Sequence, residues 1–366
     1  MFFEIDDSLS QVDFADRANI HVLEKILDAG IDGNHLINAS RRLYKHLLNI
    51  AGLSDRYKGY LLNLQGSASY TGVYSQFGVR GIIKNVTSKP IYDQTTGVIT
   101  LPFRYIKDFK TLLLPTVLLC ENLIDCDVLD LAAAHYRLKN GYNGTGVNID
   151  KRLGGGGTTG AVLKRIITEA AQLSICIVDS DRYCPTSAMG STYKACNAEL
   201  KAGVWNARLY STSGRELEND IPFKILQNSL AEVDDLNANI QKLFENKSSV
   251  RLWKYLDLKD GVHSEWVFKL NNPSSDFWIV DDLIKHDECN PDCVGPKACK
   301  KKSVDCHNGV IFNGIGKTIL DHVSAWGEKN SGQKSLESAT GDNSDDWFTL
   351  GRHVFYHCVA SKKYRF

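Results

Sequence analysis

Two short, almost continuously apolar runs, TVLLCEN from residue 116 and SICIV from residue 174, constrain the middle of this 366-residue chain more than any other feature. A run of that length without alternation suits a strand buried on both faces, as strands of a parallel sheet are. Helix-like sequence, LIDCDVLDLAAAHYRL, follows the first run. A glycine-dense turn, GGGGTTGAV, then opens a second helix through residues 163–173. A third apolar run, WNARLYST, leads into GRELE at residues 214–218. Strands alternating with helices predict a parallel sheet covered on both faces. Functional groups in such sheets gather at the C-terminal ends of the strands.

Acidic residues occupy those ends. Glu121 closes the first run, with Asp125 one helical turn later; Asp179 and Asp181 close the second; Glu216 or Glu218 follows the third. Side chains two apart on a strand share a face, so Asp179 and Asp181 are expected to converge. Carboxylates packed together repel one another unless a cation neutralises them. Hard oxygen donors suit Mg²⁺, Mn²⁺ or Ca²⁺ rather than zinc. Each acid also has an ordinary reading, because an Asp-x-Asp at a strand end is common and an acid after an apolar run is often a helix cap. Their joint order predicts a divalent-metal site. Two such ions about 3.5–4 Å apart can activate water and stabilise the leaving oxygen in phosphodiester cleavage.

These segments resemble a known family. LLCENLIDCDVL looks like the first motif of TOPRIM domains, and ICIVDSDR looks like their Asp-x-Asp motif. GRELENDIP is similar to the segment that follows in nucleases of the overcoming-lysogenization-defect type and in related TOPRIM nucleases of bacterial phage defence. The resemblance covers residues 113–230, about a third of the chain. It implies an α/β fold with a TOPRIM-like parallel sheet flanked by helices. It further implies Glu121 as metal ligand or general acid/base, Asp179 and Asp181 as magnesium (or manganese) ligands, and Asp125 as support for a second metal. Glu218 would close the site, with the register against Glu216 open, and Arg215 would contact phosphate. One departure is Asn122, where the family usually has glycine. Relatives often carry an ATPase in the same chain. The nearest P-loop-like segment here, ending Gly316-Lys317-Thr318, has Ile311 where the first glycine belongs, so any ATPase is expected as a separate partner.

The flanks say less. Residues 1–112 read as a mixed α+β region: a helix carrying Ile20, Leu23, Ile26 and Leu27, a second carrying Leu36, Ile37, Leu43 and Leu47, then short β-prone runs from residue 57 to 104. In the C-terminal region, residues 231–366, a Cys-rich insertion at 286–307 holds Cys289, Cys293, Cys299 and Cys306, with His286 and His307 beside them. Four thiolates in one loop suit a structural zinc site, although the spacing is not a paired Cys-x-x-Cys pattern. A reduced, metal-free loop and disulfide pairing are the alternatives. Lys300, Lys301 and Lys302 make that loop basic, as a phosphate contact or as a solvated charge run. His353 and His357, four apart, could ligate metal from one helix face or simply pack a helix. GGGGTT could cradle phosphate through backbone N–H groups, or could be a plain strand-to-helix loop.

Lys+Arg and Asp+Glu balance at 43 each, so nucleic-acid contact must come from local basic patches or bound cations. The acidic N-terminus and the short apolar stretches, broken by Pro115, predict no secretory signal and no membrane span, hence a cytoplasmic protein. Three functions follow as expectations. The first is a metal-dependent endonuclease acting on DNA or RNA, an oligomeric effector of anti-phage defence. The second is a topoisomerase- or primase-like TOPRIM enzyme. The third is a non-catalytic module that binds nucleic acid or a protein partner.

Overall fold

The computed structural model describes residues 1–109, 111–169, 172–231, 252–263, 277, 310–330, 332–341 and 344–365. Two compact units share the chain in alternating pieces. Met1–Ile177, Ala195–Tyr210 and Phe348–Phe366 make the first; Val178–Lys194 and Ser211–Trp347 make the second.

The first unit opens with helix-linked strands. β1 (Phe2–Ile5), β2 (Leu36–Ala39), β3 (Arg80–Lys84), β4 (Ile91–Asp93) and β5 (Val98–Pro102) form one sheet in the order β2-β1-β3-β5-β4. All neighbours are parallel except the β4–β5 hairpin. Helices α1 (Arg17–Ile31), α2 (Arg41–Leu48) and α3 (Asp55–Thr71) supply the crossovers. Asp16 and Ser40 start α1 and α2 by accepting from Ala18 N at 2.9 Å and Leu43 N at 3.0 Å. The stripe expected on α1 is there: Ile20, Leu23, Ile26 and Leu27 are all buried.

Two expectations for this region fail. Leu36 and Ile37 are not helical but pair with Phe2 and Phe3 in β2. Gly33, at φ 71°, ends α1, and Ser40 already caps α2. The few residues between them can span a strand but not a helix. Residues 57–71 are helical rather than β-prone, because Tyr60, Leu61 and Leu64 bury at helical spacing in α3.

The second sheet of this unit is the one expected from the apolar runs. It contains β6 (Thr116–Cys120), β8 (Ile149–Leu153), β9 (Ser174–Val178) and β10 (Ala207–Ser211), ordered β10-β9-β6-β8 and all parallel. Every residue of β6 and β9 is buried. Each apolar side chain so buried contributes on the order of 1.5–3 kcal/mol relative to exposure. Helices α4 (Leu123–Lys139), α5 (Thr159–Glu169) and α6 (Ser191–Glu199) link these strands. β7 (Gly146–Val147), just before β8, pairs with a strand from the end of the chain, described below.

In the second unit α7 (Leu217–Asp220) and α8 (Phe223–Ser229) follow β10, and β11 (Gly261–His263) pairs antiparallel with β12 (Val310–Asn313). Helices α9 (Ile319–Lys329) and α10 (Gln333–Ala339) pack on α8. Trp253 and Trp347 are fully buried, as core tryptophans should be, and Trp253 Nε1 donates to Asn219 O at 3.1 Å. The P-loop-like segment does run from a strand to a helix, but β12 belongs to an antiparallel pair. Lys317 sits 3.4 Å from Asp260. Helix α11 (Ser344–Cys358) leads back into the first unit, to which β13 (Val359–Ala360) belongs and within which it pairs antiparallel with β7. The four cysteines of the 286–307 insertion and Lys300, Lys301 and Lys302 lie outside the described residues. Among the described residues no helix is long and apolar enough to cross a membrane.

Candidate metal centre

In the second unit the chain leaving β9 makes a tight, hydrogen-bonded turn rather than a longer strand. Ser180 anchors it from a buried position: its N–H donates to Thr212 Oγ1 at 2.9 Å and its hydroxyl to Gly214 O at 2.6 Å. Asp181 follows at φ 51°, the one non-glycine among the described residues in the left-handed region. Asp tolerates that region better than most residues, at a cost of roughly 1–2 kcal/mol. Its N–H donates to Arg215 O at 2.9 Å, and a Cβ on Gly190 would overlap its carboxylate. The expectation that Asp179 and Asp181 share a strand face is therefore corrected. The strand ends at Val178, and the turn, not the pleat, sets where Asp181 points.

The segment after β10 brings further acids to Asp179. Glu216 starts α7, its N–H donating to Asn219 Oδ1 at 2.8 Å, and Leu217 N–H donates to Asp179 Oδ1 at 2.9 Å. Glu218 is fully buried. Asp220, also fully buried, accepts from Ser213 N at 2.6 Å and Gly214 N at 2.7 Å, which fixes the loop carrying Arg215. Arg215 itself donates to Asp257 Oδ2 at 2.8 Å, 5.0 Å from the Tyr183 ring centroid.

The residue that gathers these acids is one that sequence reasoning passed over. Lys259 Nζ lies 3.1 Å from Glu218 Oε1 and 3.9 Å from Glu216 Oε2, and Asp179 adds to its electrostatic field. Burial alone would lower the ammonium's pKa, but Glu218, Glu216 and Asp179 raise it above its usual range. Burial in turn pushes Glu216 up to about 7, with repulsion from Glu218 and Asp257 adding to it and Lys259 opposing. Burial likewise raises Asp181, against the pull of Arg215 and Lys259. Both Glu216 and Glu218 therefore face the same cation, Glu218 more closely. No motif marks Lys259; only the alternating charges of Asp257, Lys259 and Asp260 hint at it.

Glu121 and Asp125 belong to the first unit. Glu121 follows β6 directly, as Asp179 follows β9, and β6 and β9 are adjacent parallel strands. Asn122 has φ −126° and ψ 158°, an extended conformation open to any residue, so the turn does not need the family's glycine. Asn122 N–H donates to Asp125 Oδ2 at 2.8 Å, which places Asp125 in a helix-capping role at the start of α4. The glycine run packs on the same strand end. Gly154 N donates to Cys120 O at 2.7 Å and Gly155 N to Glu121 O at 2.9 Å, so two of its amides are committed to protein carbonyls. A side chain on Gly154 would overlap Thr159, and Gly155 and Gly156 take φ of 75° and 60°. The glycines let this loop lie against β6 beside the Glu121 carboxylate.

His353 and His357 are packing residues. His353 stacks on Tyr210 with centroids 3.8 Å apart, His357 Nε2 lies 3.3 Å from Tyr210 Oη, and burial lowers the pKa of both.

Among the described residues no three His, Cys, Asp or Glu side chains already stand as a metal-ligand set. The fit to a hard divalent cation rests instead on charge and donor type. Asp179, Glu216 and Glu218 supply oxygen donors around the Lys259 ammonium, with Arg215 also acting on Glu216, and hard oxygen donors of this kind are what such cations take. Compared with protein-family models, with curated proteins and with solved structures, the chain matches none.

Proposed function

We propose that this chain is a divalent-metal-dependent phosphodiesterase that cleaves DNA or RNA. The observation that carries the reading is the Lys259 ammonium set among Asp179, Glu216 and Glu218, a stand-in for part of the positive charge those acids call for. Asp179, Asp181, Glu216 and Glu218 would hold Mg²⁺ or Mn²⁺, which when bound supplies an activated water and charge stabilisation at the departing oxygen. Glu121 takes the acid/base role that the TOPRIM resemblance implies. Arg215, oriented by Asp257, presents a guanidinium suited to a phosphate oxygen. The Ser180 anchor and the Asp220 loop bonds keep the two acidic segments in register before any cation arrives. A role in anti-phage defence, with an ATPase on a separate chain, follows the same resemblance, as does a structural zinc on Cys289, Cys293, Cys299 and Cys306.

The test incubates purified protein with DNA and with tRNA, with Mg²⁺, with Mn²⁺ and with chelator, beside Asp179→Asn, Glu218→Gln and Glu121→Gln. Cleavage should require the cation and fall by at least about 100-fold in each variant. Cleavage that survives chelator, or calorimetry showing that Mn²⁺ does not bind, would sink the reading. Elemental analysis of fresh protein should find one zinc per chain; protein without zinc would remove that part alone.

A further inference from the structure

The first unit carries a second concave surface with chemistry of its own. The β4–β5 hairpin turns through Gln94, Thr95, Thr96 and Gly97, where Gly97 has φ 69° and a side chain would overlap Gly78 O. Two adjoining hollows, of about 640 and 480 Å³, open on this hairpin, and Tyr92 and Gln94 line both. Lys201 borders the first; Arg352 borders the second, whose wall is Tyr210, His353 and Tyr356.

The aromatic rings are held in place by their neighbours, some of which line the hollows themselves. The Arg208 guanidinium lies 3.0 Å from the Tyr92 ring centroid, and its N–H groups donate to the carbonyls of Val204, Trp205 and Ala207. Tyr356 stacks on buried Phe77 at 4.9 Å, and its hydroxyl meets that of Tyr136 at 2.9 Å. Tyr210 and His353 form the stacked pair already described. Among the described residues, none that lines either hollow is acidic, in a chain with as many acids as bases. Asp93, beside them in the hairpin, accepts from Thr95 N and from Thr96 Oγ1 at 2.8 Å each.

Fixed aromatic faces beside cations, with no competing carboxylate, are what an unpaired nucleic-acid strand requires: bases stack on rings and the backbone follows positive charge. Adjoining hollows that share Tyr92 accommodate successive nucleotides better than one isolated base. We propose that this Tyr92-centred cleft binds a short single-stranded segment of nucleic acid, with bases against Tyr92, Tyr210 and Tyr356 and phosphates near Lys201 and Arg352. The cleft is built from the first unit alone, and its binding requires neither a metal nor cleavage.

Fluorescence anisotropy with a labelled oligothymidylate of roughly ten nucleotides, in EDTA at low salt, tests this apart from any nuclease activity. The full chain should bind, and the doubly substituted variant Lys201→Glu, Arg352→Glu should bind at least about 10-fold more weakly while melting at the same temperature. That variant should also show a shallower salt dependence, by a slope of about 1.4 for two lost phosphate contacts. Tyr92→Leu should weaken binding by roughly 5- to 100-fold through lost stacking. If Tyr92→Leu does not fold, the exposed Lys201 and Arg352 pair still decides the matter. The proposal is overturned if the wild type does not bind, or if the charge variant binds equally well. It is also overturned if an abasic sugar-phosphate strand binds as tightly as the oligothymidylate, or if thymidine monophosphate does.

Discussion

Lys259 offsets Glu218, a carboxylate with no solvent exposure, so removing the ammonium leaves a buried charge without its counter-ion. Lys259→Met is expected to lower stability by about 3–5 kcal/mol, read as a drop in thermal unfolding midpoint. Millimolar Mg²⁺ should restore part of that loss in the variant if the acids take a divalent ion; equal melting of variant and wild type would show that Lys259 neutralises nothing of consequence. At this scale the sequence disclosed the acids and hid their surroundings. Glu121 and Asp179 stood out because each follows a strand whose burial its own residues dictate. Lys259 did not, because its neighbours are assembled by tertiary contact far along the chain. The left-handed turn at Asp181 was equally hidden: what makes room for it is the missing side chain of Gly190, and nothing local in Asp179-Ser180-Asp181 announces that.

Among elements, the close approach of α4 and α11 turns on one residue. A Cβ on Gly351 would overlap the carbonyl of Ala132, a backbone group that cannot swing aside as a side chain can. Gly351→Ala should therefore cost about 1–3 kcal/mol despite its higher helix propensity, measured as a lower urea midpoint with an unchanged m-value. A variant as stable as wild type would mean that the two helices separate freely. Elements whose pattern and punctuation agreed were legible. The runs giving β6 and β9 had nothing but apolar residues to bury, and α1 carried both a cap and a stripe. Where punctuation outvoted pattern, the reading slipped. Leu36 and Ile37 extended a helical period past Gly33, and the aromatic-rich start of α3 looked β-prone although its buried residues recur at helical spacing.

For the molecule as a whole, acid sensitivity follows from its buried bases. Burial lowers the Met1 amine to about 5, His135 and His353 to about 4, and His35 and His357 further below their usual range. Each takes up its proton first in the unfolded chain, so stability falls as pH drops from the ordinary values of 8.0 and 6.5. Asp220 and Glu216, raised to about 7, and Asp181, also raised, work in the opposite direction, since the folded form protonates them first. Among the described residues five such bases outnumber three such acids, and net loss on acidification is the expected result from them. His353→Phe keeps a ring against Tyr210 and removes one base, so the fall in unfolding midpoint between about pH 7 and pH 4.5 should shrink by the equivalent of about 2 kcal/mol. An unchanged fall would exclude His353 as a contributor. The pieces of the first unit also set the order in which it can be completed. Met1 donates its amine proton to Val359 O at 2.6 Å, and β7 waits for β13. At about 5–20 residues per second, a ribosome delivers Val359 on the order of 20–70 s after Met1. The N-terminal sheet can pair early in that interval, but the Val359 carbonyl and the β13 strand that complete the first unit arrive only at its end.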